Sequence, residues 1–183
     1  MNFKVESQTK DKLRESIQYR AIAELKTDDW DVILDQDGSG EIADVVAIRI
    51  DPEGLLVRLV HCKYSRGETP GARVADLYEV CGQAQKSIMW RRSDLGPFFR
   101  TLDDRARRKQ KRDGVNPFEA GDIKKLYAIR DKTVMLRGGW EMVIVQPGLS
   151  IAQATTQQLD LLASTQAYLK TTINAPLAVW CSP

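Results

Sequence analysis

Apolar positions concentrate in two runs between Glu41 and Ser65 (EIADVVAIRIDPEGLLVRLVHCKYS), separated by Asp51-Pro52-Glu53-Gly54. Val, Ile and Leu dominate both runs, and turn-forming residues punctuate them, the pattern of two buried strands joined as a hairpin. With those four residues as the loop, Ile50 faces Leu55 and Asp44 lies opposite His61. Lys63 is then a diagonal neighbour of Asp44. Alternation along the strands puts Asp44, His61 and Lys63 on one face of the sheet, with opposed Cβ atoms about 5 Å apart. A slip of one residue would undo this arrangement. Charged groups at the end of oily strands are costly unless they are paired or hold an ion. An Asp44–Lys63 salt bridge at a sheet end accounts for the same residues.

The remaining elements follow from periodicity. Leu13, Ile17, Ala21 and Leu25 recur at helical spacing and predict a first helix over residues 8–26. Trp30 to Leu34 predicts a short strand. After the breakers of SRGETPG, Val74, Leu77, Cys81, Ala84 and Ile88 form the apolar stripe of a helix beginning near Arg73, whose polar stripe is Asp76, Glu79, Gln83 and Lys86. DGVNPFEAGD is turn-prone. Residues 122–130 predict a short amphipathic piece, Thr133–Arg137 and Glu141–Gln146 a strand or hairpin closed by Pro147-Gly148, residues 152–171 a helix, and Leu177–Trp180 a last strand. The order, α-β-β-β-α-β-α-β with a basic segment after the second helix, predicts an α/β fold with a central mixed sheet flanked by helices.

Length and composition change this picture little. At 183 residues, 43% hydrophobic and 28% charged, the chain suits a single domain over 1–183, standing alone or as one module of a larger protein. No apolar run reaches transmembrane length, so no membrane partner is expected. Three scattered cysteines point to reduced thiols and a cytoplasmic setting. The single histidine excludes zinc sites that need two. Cys62 follows His61 in a strand and points to the opposite face, so the two form no local nucleophile–base pair. Net charge is only +2, yet residues 91–112 carry nine Arg and Lys against three Asp. That segment reads either as a solvated surface or as a phosphate-contacting patch. Asp35-Gln36-Asp37-Gly38-Ser39-Gly40 matches the opening of a calcium-binding loop. Its twelfth position is Val46, where a bidentate Glu is needed, and VVAIRI are strand formers. The stretch is expected to be a tight turn into the Asp44 strand.

An acidic residue on one strand, a polar-x-Lys end on the next and then a helix, all after an N-terminal helix, resembles the PD-(D/E)XK nuclease superfamily. The motif order matches over roughly residues 8–90. Ile42-Ala43-Asp44 stands where the family places its metal-binding Asp, and His61-Cys62-Lys63 where it places (Asp/Glu)-x-Lys. The run HCKYS…PGARVADLYEVCGQAQ is also similar to nuclease-like domains at the C-terminus of bacterial helicase-type proteins. The resemblance implies a restriction-endonuclease-like core, a Mg2+ (or Mn2+) cofactor, DNA as partner, and metal-dependent DNA endonuclease activity in DNA processing or phage defence, with a helicase-like module as a further partner and a homodimer compatible with double-strand cutting. It implies Asp44 as principal ligand, the Cys62 main-chain carbonyl as a second, and Lys63 as the residue that positions or deprotonates the attacking water or offsets charge. His61 replaces the usual second acid and is expected in the outer shell, since Mg2+ prefers oxygen. The missing carboxylate falls to Glu79, with Asp76, Glu41 and Glu15 as alternatives, and Gln83 is a candidate phosphate or water contact. The DNA-contacting candidates are Arg66, Arg73, Arg91, Arg92, Arg105, Arg107, Arg108 and Lys109. The alternative function is a catalytically degenerate nuclease fold that binds DNA or serves assembly.

Overall fold

The computed structural model describes residues 1–183 except positions 39, 41, 93, 94 and 134–137, with Arg92 described by its main chain alone. The elements are α1 (Ile17–Leu25), β1 (Val32–Asp35), β2 (Val45–Asp51), β3 (Gly54–Cys62), α2 (Ala75–Lys86), α3 (Met89–Arg92), α4 (Leu95–Asp113), β4 (Phe118–Ala120), α5 (Ile123–Lys132), β5 (Gly138–Ser150), α6 (Thr156–Ile173) and β6 (Leu177–Ser182). The fold is α/β, with a six-stranded mixed sheet in the order β4-β1-β2-β3-β5-β6. Strands β4, β1, β2 and β3 pair antiparallel, whereas β5 runs parallel to β3 and β6 parallel to β5.

The hairpin register is the one the turn predicts: Ile50 faces Leu55 and Val45 faces Val60. The ladder runs one pair further than expected, to Asp51–Gly54. Only Pro52 and Glu53 are left in the turn, which Gly54 closes at a φ of 132°. Alternation then sorts the side chains. Val45, Ala47, Val60 and Cys62 meet α1 through Ile17, Ala21, Ile22 and Leu25. Val46, Ile48, Val57 and Leu59 meet the other layer, where α4 contributes Phe98, Phe99, Leu102 and Ala106. On that same side α2 packs Leu77, Val80, Cys81 and Ala84 against Ile144 of β5. Among the described residues no helix is long and apolar enough to cross a membrane.

The structure changes or sharpens several of these expectations. Helix α1 begins at Ile17, not near residue 8, because Ser16 caps it by accepting from the Tyr19 N–H at 3.1 Å, and Thr9 and Lys12 adopt positive φ. The basic segment is largely the 19-residue helix α4, whose apolar stripe anchors it to the core. The turn-prone stretch before α5 contains β4, whose three residues are too few for alternation to register. The element order is therefore α-β-β-β-α-α-α-β-α-β-α-β rather than α-β-β-β-α-β-α-β. Thr133 caps the C-terminus of α5, and the rest of the strand expected at Thr133–Arg137 lies outside the described residues. Strand β5 runs past Pro147 to Ser150 with a register irregularity, the kind of place where a strand tolerates proline.

Candidate functional site

The end of β3 gathers the polar residues of the hairpin. Asp44, buried one residue before β2, accepts the Cys62 N–H at 2.8 Å through Oδ2. Its own main-chain carbonyl accepts from the Gln36 N–H at 2.9 Å and from Gln18 Nε2 of α1 at 3.2 Å. Asp44 is thereby fixed against the main chain of the His61-Cys62-Lys63 stretch.

Lys63 continues the line of β3, donating its N–H to the Val145 carbonyl at 3.0 Å. Its buried Nζ lies 2.6 Å from Glu79 Oε1, 3.5 Å from Glu6 Oε2 and 4.6 Å from the Tyr64 ring centre. Burial alone would lower the Lys63 pKa. The Glu79 hydrogen bond, with the charges of Glu6 and Glu79, outweighs it and raises the value above the ordinary lysine range. Lys63 is therefore an ammonium at neutral pH. Glu79 reaches it from the first half of α2 with a side chain 55% exposed, so burial does not fix its carboxylate.

His61 turns toward the C-terminal end of α2. Its Nε2 lies 3.1 Å from the hydroxyl of Ser87, the residue that ends that helix, and its Nδ1 is buried with no partner among the described residues. Burial pushes its pKa down to about 4. The sign of the consequence follows. The unfolded chain takes up a proton below about pH 6.5 that the buried ring refuses until about pH 4, so stability is lost as pH falls through that window. We expect the unfolding free energy to fall by up to about 3 kcal/mol between pH 7 and 4 on this account, and His61→Gln to remove that share. Urea titrations of both proteins across the range check it, and equal slopes would contradict it.

The alternative acids are placed as follows. Asp76 is buried at the start of α2, accepting from the Arg66 N–H at 3.3 Å and lying 4.0 Å from Arg73 Nε, so it organises the loop leading into the helix. Glu15 is exposed on the segment before α1. Glu41 lies outside the described residues. Gln83 is half-buried, and its Oε1 has no partner among the described residues. Glu6 was not legible in the sequence. It sits in a segment without periodicity and is brought in by the Ser65 N–H, which donates to the Phe3 carbonyl at 2.7 Å, and by the Tyr64 N–H, which donates to Glu6 Oε2 at 2.9 Å.

The basic candidates divide in two. Arg105 and Lys109 face inward: Arg105 Nε donates to Gln36 Oε1 at 2.9 Å, and Lys109 Nζ lies 2.5 Å from the buried Asp35. Asp35 also accepts from Gln8 at 2.8 Å and Gln18 at 3.0 Å, so the first carboxylate of the calcium-like sequence is occupied by side-chain donors. Arg66, Arg91, Arg107 and Arg108 are exposed. Arg107 pairs with Asp103 at 2.7 Å, Arg108 Nε donates to the Asp104 carbonyl at 3.2 Å, and Arg73 Nη2 donates to Ser65 Oγ at 3.2 Å. The Arg92 side chain lies outside the described residues.

The donors that could hold a divalent cation are hard oxygens: the Asp44 carboxylate, the Cys62 carbonyl and the Glu79 carboxylate. Among the described residues no three His, Cys, Asp or Glu side chains converge as a metal centre. Mg2+ needs no such group, since it binds through one or two carboxylates and keeps much of its water. Comparison with protein-family models, curated proteins and solved structures finds no match to this chain.

Proposed function

We propose that the protein is a metal-dependent deoxyribonuclease domain of the PD-(D/E)XK type. The observation that carries this reading is the 2.8 Å hydrogen bond from the Cys62 N–H to Asp44, which sets an acidic residue beside a His-x-Lys strand end. The connectivity supports it: a helix, three antiparallel strands and a second helix, with β5 returning parallel beside β3. Helices α3, α4 and α5 with β4 are inserted before that return.

Phosphodiester hydrolysis forms a bond from water oxygen to phosphorus and breaks the bond to the leaving ester oxygen; one water proton is released and the leaving oxygen gains one. A bound Mg2+ neutralises the phosphate and makes its coordinated water more acidic. Asp44 and the Cys62 carbonyl would hold the ion, and the second oxygen of Glu79 would be open to it while Oε1 keeps Lys63. Lys63, held as an ammonium by Glu79 and Glu6, acts as a fixed positive charge that orients the water and stabilises charge developing on phosphorus oxygens. Its raised pKa makes it a poor proton acceptor, so of the roles open to it from the sequence, proton abstraction is the least favoured. His61, engaged with Ser87, supports the strand end from outside the metal shell.

The test is cleavage of supercoiled plasmid with Mg2+ or Mn2+: wild type should nick or linearise it, and Asp44→Asn or EDTA should stop the reaction. Wild type failing with both metals on single- and double-stranded substrates would favour the second reading, a nuclease fold that binds DNA without cutting. That reading draws on His61, which stands in the place of the second acid and faces Ser87.

The exposed arginines of α4 give a separate expectation. Arg107→Glu with Arg108→Glu should weaken DNA binding and reduce the slope of log affinity against log salt by about 2. An unchanged slope would leave that face as ordinary solvated surface.

A further inference from the structure

Helix α4 presents Arg105, Arg108, Lys109 and Arg112 on one face, at spacings of three and four residues. That face meets residues 35–38, at and just after the end of β1, and both line a pocket of about 110 Å3. Its size is well below the about 300–1,000 Å3 of small-molecule sites, so it admits a single group and not a whole ligand. Four cations there face only two carboxylates, Asp35 and Asp37. Asp35 is held by Lys109, Gln8 and Gln18, and one oxygen of Asp37 accepts from Ser7 Oγ. Arg105 is committed to Gln36 and to the Gly38 carbonyl, at 3.2 Å from the latter. The other three cations keep unused donors. Arg112 gives Nε and Nη2 to Asp113, at 2.6 and 2.7 Å, and its Nη1 makes no hydrogen bond among the described residues. That nitrogen stands at the pocket wall, 3.7 Å from where a Cβ on Gly38 would sit. Arg108 uses only Nε, on the Asp104 carbonyl, and Lys109 Nζ uses one of its three hydrogens, on Asp35. Arg108 is exposed and the Arg112 side chain is 63% exposed, so a ligand reaches both guanidiniums from solvent.

We propose that this pocket binds a phosphate group, through Arg108, Lys109 and Arg112. Even with Asp113 set against Arg112, the cations outnumber the carboxylates, which favours an anion and disfavours a metal ion. Phosphate oxygens suit both the forked donors of arginine and the point charge of lysine. DNA as the source of that phosphate rests on the nuclease reading, and the pocket then positions the strand on α4 without reading its sequence. The phosphate site itself stands on its lining, and a small phosphorylated molecule would present the same group.

The experiment is an amide NMR titration of the full chain with inorganic phosphate at constant ionic strength. Wild type should show saturable shifts at residues 36–38 and 105–112, half-complete on the order of 1 mM, the worth of about two charge-assisted hydrogen bonds. Arg108→Gln with Arg112→Gln should abolish them. Lys111→Gln removes an exposed charge of α4 outside the pocket and should leave them in place. No saturable shifts, shifts only elsewhere, shifts that survive the double variant, or equal loss in Lys111→Gln would overturn the inference. Anisotropy of a labelled duplex in EDTA distinguishes the sources. Its affinity should fall about tenfold or more in the double variant and less than about threefold in Lys111→Gln. Phosphate binding with an unchanged duplex affinity would assign the pocket to a small phosphorylated molecule. Mg2+-dependent plasmid cleavage without phosphate binding would sink the pocket and keep the nuclease; phosphate binding without any cleavage would do the reverse.

Discussion

Lys63→Ala should abolish Mg2+-dependent plasmid cleavage, lowering the rate by about 10²–10³-fold or more, as expected when one preorganised charge is taken from a developing oxyanion. Affinity for a short duplex should change little, because a buried ammonium held between Glu6 and Glu79 contributes chiefly to the reacting centre. The substitution also leaves two carboxylates without their cation, so a melting curve belongs beside the rate. Lys63→Arg separates charge from geometry. It keeps the positive charge but not the compact Nζ that sits 2.6 Å from Glu79, so partial rescue is expected. Cleavage by Lys63→Ala at the wild-type rate would remove Lys63 from the mechanism.

Asp35→Ala should cost about 3–5 kcal/mol of stability, the range found when one partner of a buried ion pair is removed. Asp35 is 1% exposed and its carboxylate collects Lys109 at 2.5 Å, Gln8 and Gln18, tying α4, the N-terminal segment and α1 to the end of β1. Without it a largely buried ammonium loses its carboxylate, and the amide nitrogens of Gln8 and Gln18 keep only their bonds to Glu119 and to the Asp44 carbonyl. Urea denaturation measures the loss. Lys109→Met in the Asp35→Ala background should recover part of it, because the stranded charge is then gone. A loss under about 1 kcal/mol would mean that water reaches the cluster and replaces the carboxylate.

The hairpin was legible because several local signals agree: β-branched runs, a Pro-Gly turn and a hydrophobic face that tolerates one register. The pairing of Ile50 with Leu55 follows from those alone. Glu79 was legible as a residue of the polar stripe of α2, and the structure brings it to Lys63. What escaped the sequence was set by tertiary contacts. Leu13 continues the helical spacing of α1, but Gln8 is drawn into the Asp35 cluster, which holds the preceding segment in turns. Strand β4 is three residues long and exists through its pairing with β1. Glu6 is 57 positions from Lys63, and no local pattern ties a carboxylate in an irregular segment to a strand end. The hydrogen bond between His61 and Ser87 at the end of α2 also lay beyond any local pattern. In the basic segment, charge alone did not separate Arg105 and Lys109, which hold the fold, from Arg107 and Arg108 on the surface.

The central claim is that the Asp44 end of the hairpin holds a divalent cation. The most direct measurement is anomalous diffraction from crystals soaked in Mn2+, paired with Mn2+ titration calorimetry of wild type and Asp44→Asn. The account predicts a manganese peak at the Asp44 carboxylate and the Cys62 carbonyl, and a binding isotherm that disappears in Asp44→Asn. A peak elsewhere, or wild-type binding that survives the Asp44 substitution, would contradict it.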